Sequence, residues 1–264
     1  MTIDKLDTGV PHPARRYNYW LGGKDNFAAD RESGDLLAKS YPAARIAARA
    51  NRAFLQRAVG FLAGEAGIRQ FLDIGTGLPS ADNTHEVAQR IAPDSRVVYV
   101  DNDPMVMVHA RALLTSTSAG QARYLEKDLR SPAEILDSLE ILDLSEPVAL
   151  ILVAVVHFLP DHPNSVEIVR TLVDALPSGS YLTMTMATTD LLTPELKANW
   201  DESLRSGRSD VHPRTREQFE QFFEGLHLVD PGIAAISEWR PDPAATENPT
   251  PVEASLFGAV ARKP

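Results

Sequence analysis

From residue 70 to residue 187 the chain alternates short apolar runs with amphipathic ones, and this alternation constrains the fold most. Apolar runs at 70–74, 96–101, 122–126, 148–156 and 180–187 predict strands, and the segments 83–92, 104–115, 132–142 and 162–176 predict helices. Strand and helix in strict turn imply a parallel sheet, because each parallel connection needs a crossover, with helices on both faces. The stretch Val148–Val156 is apolar throughout, as a strand covered on both faces must be. Two helices, 193–207 and 214–224, then follow with no strand between them, which reads as a helical insertion near 193–224. Apolar strands near 226–238 and 254–261, joined by the Pro-rich link 241–251, predict an antiparallel pair at one sheet edge.

Helices alone precede the sheet. Residues 1–13 read as irregular, and 14–41 as two short helical pieces broken by Gly22-Gly23. From Pro42 a long helix is predicted, with Ile46, Ala50, Phe54 and Ala58 recurring every four residues before Gly64 and Gly67 end it. The expected organisation is an N-terminal helical cap region over 1–67 and a sheet domain over 68–264.

The first strand runs into Asp73-Ile74-Gly75-Thr76-Gly77, and the second ends in Asp101. Glycines after a strand let backbone approach a ligand closely, and an acid ending the next strand is placed to accept hydrogen bonds from a ribose. Together they predict an adenosine-type ligand at the carboxyl edge of the sheet. Two glycines in a strand-to-helix turn also occur for structural reasons alone. The turn continues Leu78-Pro79-Ser80, with Ser80 where a dinucleotide-binding turn carries its third Gly or Ala, which argues against a nicotinamide-dependent oxidoreductase.

At these residues the chain resembles the class I S-adenosylmethionine-dependent methyltransferases. It resembles more narrowly a bacterial family of S-adenosyl methyltransferases. The narrower likeness rests on Ala14–Phe27, Phe71–Pro79, Val100–Pro104, Val155–Asp161, Pro231-Gly232 and Trp239–Pro241. It implies a Rossmann-like α/β fold with a mostly parallel seven-stranded sheet whose last strand is antiparallel, and S-adenosyl-L-methionine as cofactor. It further implies that Asp73, Gly75, Thr76 and Gly77 surround the methionine part of the cofactor and that Asp101 holds the ribose hydroxyls. Asn102 and Asp103 are then expected beside the adenine. Asp128 and the Leu129 backbone are expected at its amino group. Asp103 and Asp128 have helix capping as an alternative structural reading. Pro79 departs from the pattern of many class I enzymes, and the fourth strand carries Val153-Ala154 where base and glutamine methylases carry Asn-Pro-Pro-Tyr.

Methyl transfer from a sulfonium is an in-line displacement, so alignment carries much of the catalysis and a general base is optional. His157, just past the fourth strand, is the candidate for a catalytic base; packing at a helix start is its alternative. Tyr17, Tyr19 and Trp20 either cover the cofactor or anchor the N-terminal helix to the core. Lys24 and Asn26, beside Gly22-Gly23, are candidates for cofactor or acceptor contact. A non-catalytic S-adenosylmethionine-binding module is the alternative function.

Composition narrows the partners. The net charge of −10 disfavours phosphate-backbone binding, and the basic run Arg45, Arg49, Arg52 and Arg57 reads as a solvated helix face. The chain has no cysteine, so thiolate metal sites, disulfides and thiol catalysis are excluded. No metal site is expected, although Asp101-Asn102-Asp103 resembles a carboxylate cation motif. The N-terminus has no signal-like apolar core, and the longest apolar run, Val148–Leu159, is too short to span a bilayer. The expectation is a cytoplasmic protein acting on a small-molecule methyl acceptor, with neither nucleic acid nor membrane as partner. Whether it forms a homodimer is left open.

Overall fold

The computed structural model describes residues 6–113, 118–245 and 248–264. Helices α1 (Pro13–Trp20), α2 (Ala28–Ser40) and α3 (Ala44–Gly64) precede the sheet. The alternation then runs β1 (Gln70–Ile74), α4 (Thr84–Ile91), β2 (Arg96–Asp101), α5 (Pro104–Leu113), β3 (Gln121–Glu126), α6 (Pro132–Leu136), β4 (Ala149–Leu152), α7 (His162–Asp174) and β5 (Tyr181–Ala187). Helices α8 (Pro194–Arg205) and α9 (Arg216–Glu220) follow β5 with no strand between them. The chain closes with β6 (His227–Leu228), β7 (Ala234–Ala235), α10 (Pro251–Ala254) and β8 (Leu256–Arg262).

The sheet order is β3-β2-β1-β4-β5-β8-β6, with β7 also paired to β8. Strands β1 to β5 are parallel, and β8 runs antiparallel to β5 from Leu256↔Ala187 to Arg262↔Tyr181. The strand order reverses between β1 and β4, where two neighbouring crossovers lie on opposite faces and open a crevice at the carboxyl edge. Two apolar cores flank the sheet. One joins α3 to Phe71, Val97, Tyr99 and Val260, and the other joins Leu72, Val98 and Leu150 to α7 and the Phe219–Phe223 segment.

Four elements differ from the sequence expectation, the first being the segment 132–142, which is helix only over Pro132–Leu136. The run 148–156 is strand only over Ala149–Leu152; it leaves the sheet at Val153, and Ala154 takes φ +56°. Val153, Ala154 and Val155 line the crevice rather than extend the strand, and Val156 packs into the core. The strand expected at 226–238 is two short pieces, because Pro231 offers no N–H to a ladder and Gly232 turns the chain at φ +81°. Among the described residues the sheet thus has eight strands where seven are expected. The expected end of the helix at 114–115 lies outside the described residues. The segment expected as one helix over 214–224 is α9 followed by a 3-10 turn, Gln221–Phe223.

Of the arginines of α3, Arg45 and Arg49 are exposed, as a solvated face requires, whereas Arg52 and Arg57 are staples. Arg45 Nη2 donates to the Tyr19 hydroxyl, Arg52 Nη2 donates to the carbonyls of Ala81 and Asp82, and Arg57 donates to the carbonyls of Ile236 and Trp239. The Arg45 bond ties α3 to α1, and the others fix it to the loop after β1 and to the segment before β8.

Candidate active site

A single cavity of about 450 Å³ occupies the crevice at the carboxyl ends of β1, β2 and β4 and continues beneath α1, α2 and α8. A cavity of that size, at a strand-order reversal, suits a cofactor and a small reactant.

Its floor is the turn after β1. Gly75 N–H donates to the Val100 carbonyl at 2.8 Å, which folds the turn over the end of β2. Gly75 has φ +75°, and a Cβ there would lie 2.4 Å from Val155; only glycine fits. Gly77 has φ +68° and open space where its Cβ would stand, so the backbone faces the cavity bare. The buried Asp73 carboxylate accepts from Thr84 Oγ1 at 2.6 Å, and its burial raises its pKa to about 6. Asp101 Oδ2 accepts from Gly77 N–H at 2.8 Å and its Oδ1 from Asp103 N–H at 2.9 Å. Burial raises the Asp101 pKa against those two hydrogen bonds. The structure therefore brings Asp73, Gly75, Thr76, Gly77, Asp101, Asn102, Asp128 and Leu129 onto one wall.

Asp128 is held in a different way from the others. Its carboxylate accepts from Arg130 Nε at 2.9 Å and Nη2 at 2.5 Å, and from Asn102 Nδ2 at 3.1 Å. The Arg130 bonds lower its pKa to about 2. Asp103 lies outside the cavity lining: its Oδ1 caps α5 through Met105 N–H, and its Oδ2 lies 3.1 Å from His12 Nδ1 and 3.3 Å from Arg15 Nε. The capping reading of Asp103 holds, with a second duty of anchoring α1.

Of the N-terminal candidates, Tyr17 and Trp20 line the cavity, while Tyr19 and Asn26 do not. Tyr17 donates its hydroxyl to the Ala48 carbonyl and accepts from Asn51 Nδ2. The Tyr19 ring packs under Arg45 and its hydroxyl donates to Asp35. Asn26 Nδ2 donates to Asn18 Oδ1 and to the Gly23 carbonyl, so it fixes the Gly22-Gly23 turn.

His157 sits in the 3-10 turn after β4 and lines the cavity. It is 5% exposed, and its Nδ1 accepts from Ala187 N–H at 3.4 Å, which leaves its proton on Nε2. Burial lowers its pKa to about 3, so the imidazole is neutral at every physiological pH.

Sequence reasoning missed Arg16, Asn51, Arg130 and Asp210. Arg16 lay in the block Ala14–Phe27 read for its family likeness, Asn51 in a helix read for packing, and Asp210 lies 194 residues from its partner. Asn51 is 2% exposed and lines the cavity, and its Oδ1 has no hydrogen-bond partner among the described residues. A buried acceptor of this kind fits a ligand that brings a donor. Among the described residues no group of three His, Asp or Glu is placed to hold a metal ion, and no helix is long and apolar enough to cross a membrane.

An open parallel sheet closed by an antiparallel strand, with a bare Gly-x-Gly turn and an acid ending β2, defines a Rossmann-like methyltransferase. Comparison with known proteins agrees. The chain belongs to the S-adenosyl methyltransferase family, whose model matches residues 1–264. It is an S-adenosylmethionine-dependent methyltransferase by family, with S-adenosyl-L-methionine as cofactor. Its structure is similar to that of a DUF574-family protein from Streptomyces avermitilis, at 48% identity and TM-score 0.91 over 98% of this chain and 99% of that one. It is also similar to a candidate methyltransferase from Thermobifida fusca, at 42% identity and TM-score 0.85 over 97% and 96% of the two chains. An S-adenosylmethionine-dependent methyltransferase from Methanosarcina mazei shares the fold at 14% identity and TM-score 0.51, covering 74% of this chain and 92% of that one. Among curated proteins none matches.

Proposed function

We propose that the protein methylates a small molecule held in the part of the cavity beneath α1, α2 and α8, with the cofactor along the ends of β1, β2 and β3. The observation that carries this is the continuity of one cavity from Asp101 to Trp200. In this reading the helices before residue 68 and the insertion near 193–224 form the cap over the acceptor.

The Gly75–Gly77 turn and the unpaired Asn51 Oδ1 fit the amino-acid end of the cofactor, and Asp101 fits its ribose. Asn102 and Leu129 flank the adenine position. Asp128 serves there chiefly by fixing Asn102 and Arg130, since its oxygens already accept from both. Tyr19 and Asn26 act in this proposal as supports of the cap.

When bound, the cofactor supplies a methyl group already activated on a sulfonium. The chain's part is alignment and the exclusion of water, which suffice for an in-line displacement. His157 remains neutral, so it orients an acceptor through its Nε2–H rather than storing a proton near pH 7. The cytoplasm is the compartment that a cysteine-free chain fits.

Tritiated S-adenosylmethionine incubated with the protein and a bacterial extract tests the acceptor class. Label is expected in the low-molecular-weight fraction. Label recovered in protein or nucleic acid instead would refute the small-molecule reading.

A further inference from the structure

The acceptor half of the cavity differs in chemistry from the cofactor half. Trp20, Tyr41, Phe158 and Trp200 line it. The polar ends of two of these rings are taken by the chain itself: the Tyr41 hydroxyl donates to the Glu253 carbonyl at 2.5 Å, and Trp200 Nε1 donates to the Val211 carbonyl at 3.4 Å. Their ring surfaces are what they offer a ligand. Tyr41 and Trp200 meet at a tilt, centroids 5.5 Å apart and planes at 59°, so together they make a corner rather than a flat wall.

The charges in this half cancel. Arg16, 3% exposed, donates from Nη2 to Asp210 Oδ1 at 2.5 Å and from Nη1 to Ser33 Oγ at 3.1 Å. Its guanidinium also lies over the rings of Trp20 and Phe158, at 5.7 and 5.9 Å. Burial keeps His157 neutral and pushes the Tyr41 phenol up, so it too stays neutral. A charged acceptor entering here would lose water and gain no free counter-ion. The other carboxylates of the cavity, Asp73, Asp101 and Asp128, the last paired with Arg130, all belong to the cofactor half.

We propose that the methyl acceptor is an uncharged aromatic compound, seated against the Tyr41–Trp200 corner and facing Trp20 and Phe158. This rests on the methyltransferase reading of the same cavity. Aromatic rings favour tilted and edge contacts with other rings beyond the gain from burying area, and a saturated molecule of equal size forgoes them.

The test is calorimetric titration of the protein saturated with S-adenosylhomocysteine. The probes are 2-naphthol, 2-naphthoate and 2-decalol, which separate charge and aromaticity at nearly constant size. Binding of 2-naphthol with 1:1 stoichiometry, at least tenfold tighter than either of the others, is expected. Trp200→Leu should weaken 2-naphthol at least fivefold and leave S-adenosylhomocysteine affinity within twofold. Tighter binding of 2-naphthoate would overturn the proposal in favour of an acidic acceptor that displaces Asp210 from Arg16. Equal binding of 2-decalol, or no binding of 2-naphthol to a protein that does bind S-adenosylhomocysteine, would also overturn it. Failure of S-adenosylhomocysteine itself to bind would overturn the reading beneath it, and the proposal with it.

Discussion

Arg16 Nη2 lies 2.5 Å from Asp210 Oδ1 and so ties α1 to the loop after α8. The two side chains are unequally buried, 4% exposed for Arg16 and 47% for Asp210. Asp210→Ala would leave a buried guanidinium with Ser33 as its remaining side-chain hydrogen-bond acceptor. Arg16→Leu would leave a carboxylate that water already reaches. The first change should destabilise by about 1–3 kcal/mol, less than for a fully buried pair, and the second by about 1 kcal/mol or less. Urea unfolding of both variants checks the order, and the reverse order would contradict it.

Gly75 and Gly77 should respond differently to alanine. Both have positive φ, but only at Gly75 would the new methyl collide, with Val155. Gly75→Ala should cost several kcal/mol or abolish folding, by left-handed strain plus overpacking. Gly77→Ala should cost about 1 kcal/mol in stability and show its main loss in cofactor affinity. Thermal unfolding with and without S-adenosylhomocysteine separates the two effects.

Asp73 gives the ligand-free protein a stability that falls as pH rises. Its folded pKa of about 6 lies above its ordinary value of 3.8, so the folded state binds the proton more tightly. The stabilisation is complete below about pH 4 and is lost as pH rises through 6, about 3 kcal/mol in all. Asp73→Asn removes this dependence. Its stability relative to the parent should increase by about 1 kcal/mol between pH 5 and pH 7, in urea unfolding of the ligand-free forms. A constant difference would mean that Asp73 titrates normally.

His157 acts with the opposite sign. Its folded pKa of about 3 lies below the ordinary 6.5, so the unfolded chain takes up the proton first as pH falls. Its contribution to stability is present above pH 6.5 and declines toward pH 3. The parent should lose about 2 kcal/mol more than His157→Gln between pH 7 and pH 5. The rate should show no limb from this imidazole between pH 5 and pH 8, and a limb near 6.5 removed by His157→Gln would assign it a proton-transfer role.

Much of this was legible in the sequence because it is local. Strand β1, its glycines and Asp101 are specified by residues within one crossover of each other, and the parallel direction of β1 to β5 follows from alternation. The run 148–156 was misread because apolar periodicity does not distinguish a buried strand from the apolar lining of a crevice. Asn26 and Tyr19 looked like ligand residues because they flank Gly22-Gly23 and Trp20, yet their partners, Asn18 and Asp35, lie in α1 and α2. The Arg16–Asp210 bridge and the Tyr41–Trp200 corner join distant segments, and no local pattern encodes them.

Calorimetric titration with S-adenosylmethionine, S-adenosylhomocysteine and NAD, repeated on Asp101→Ala, tests the central claim most directly. The account predicts one site for the first two, none for NAD, and at least a tenfold loss in the variant, about 1.4 kcal/mol or more. Preference for NAD, or unchanged affinity in Asp101→Ala, would contradict it.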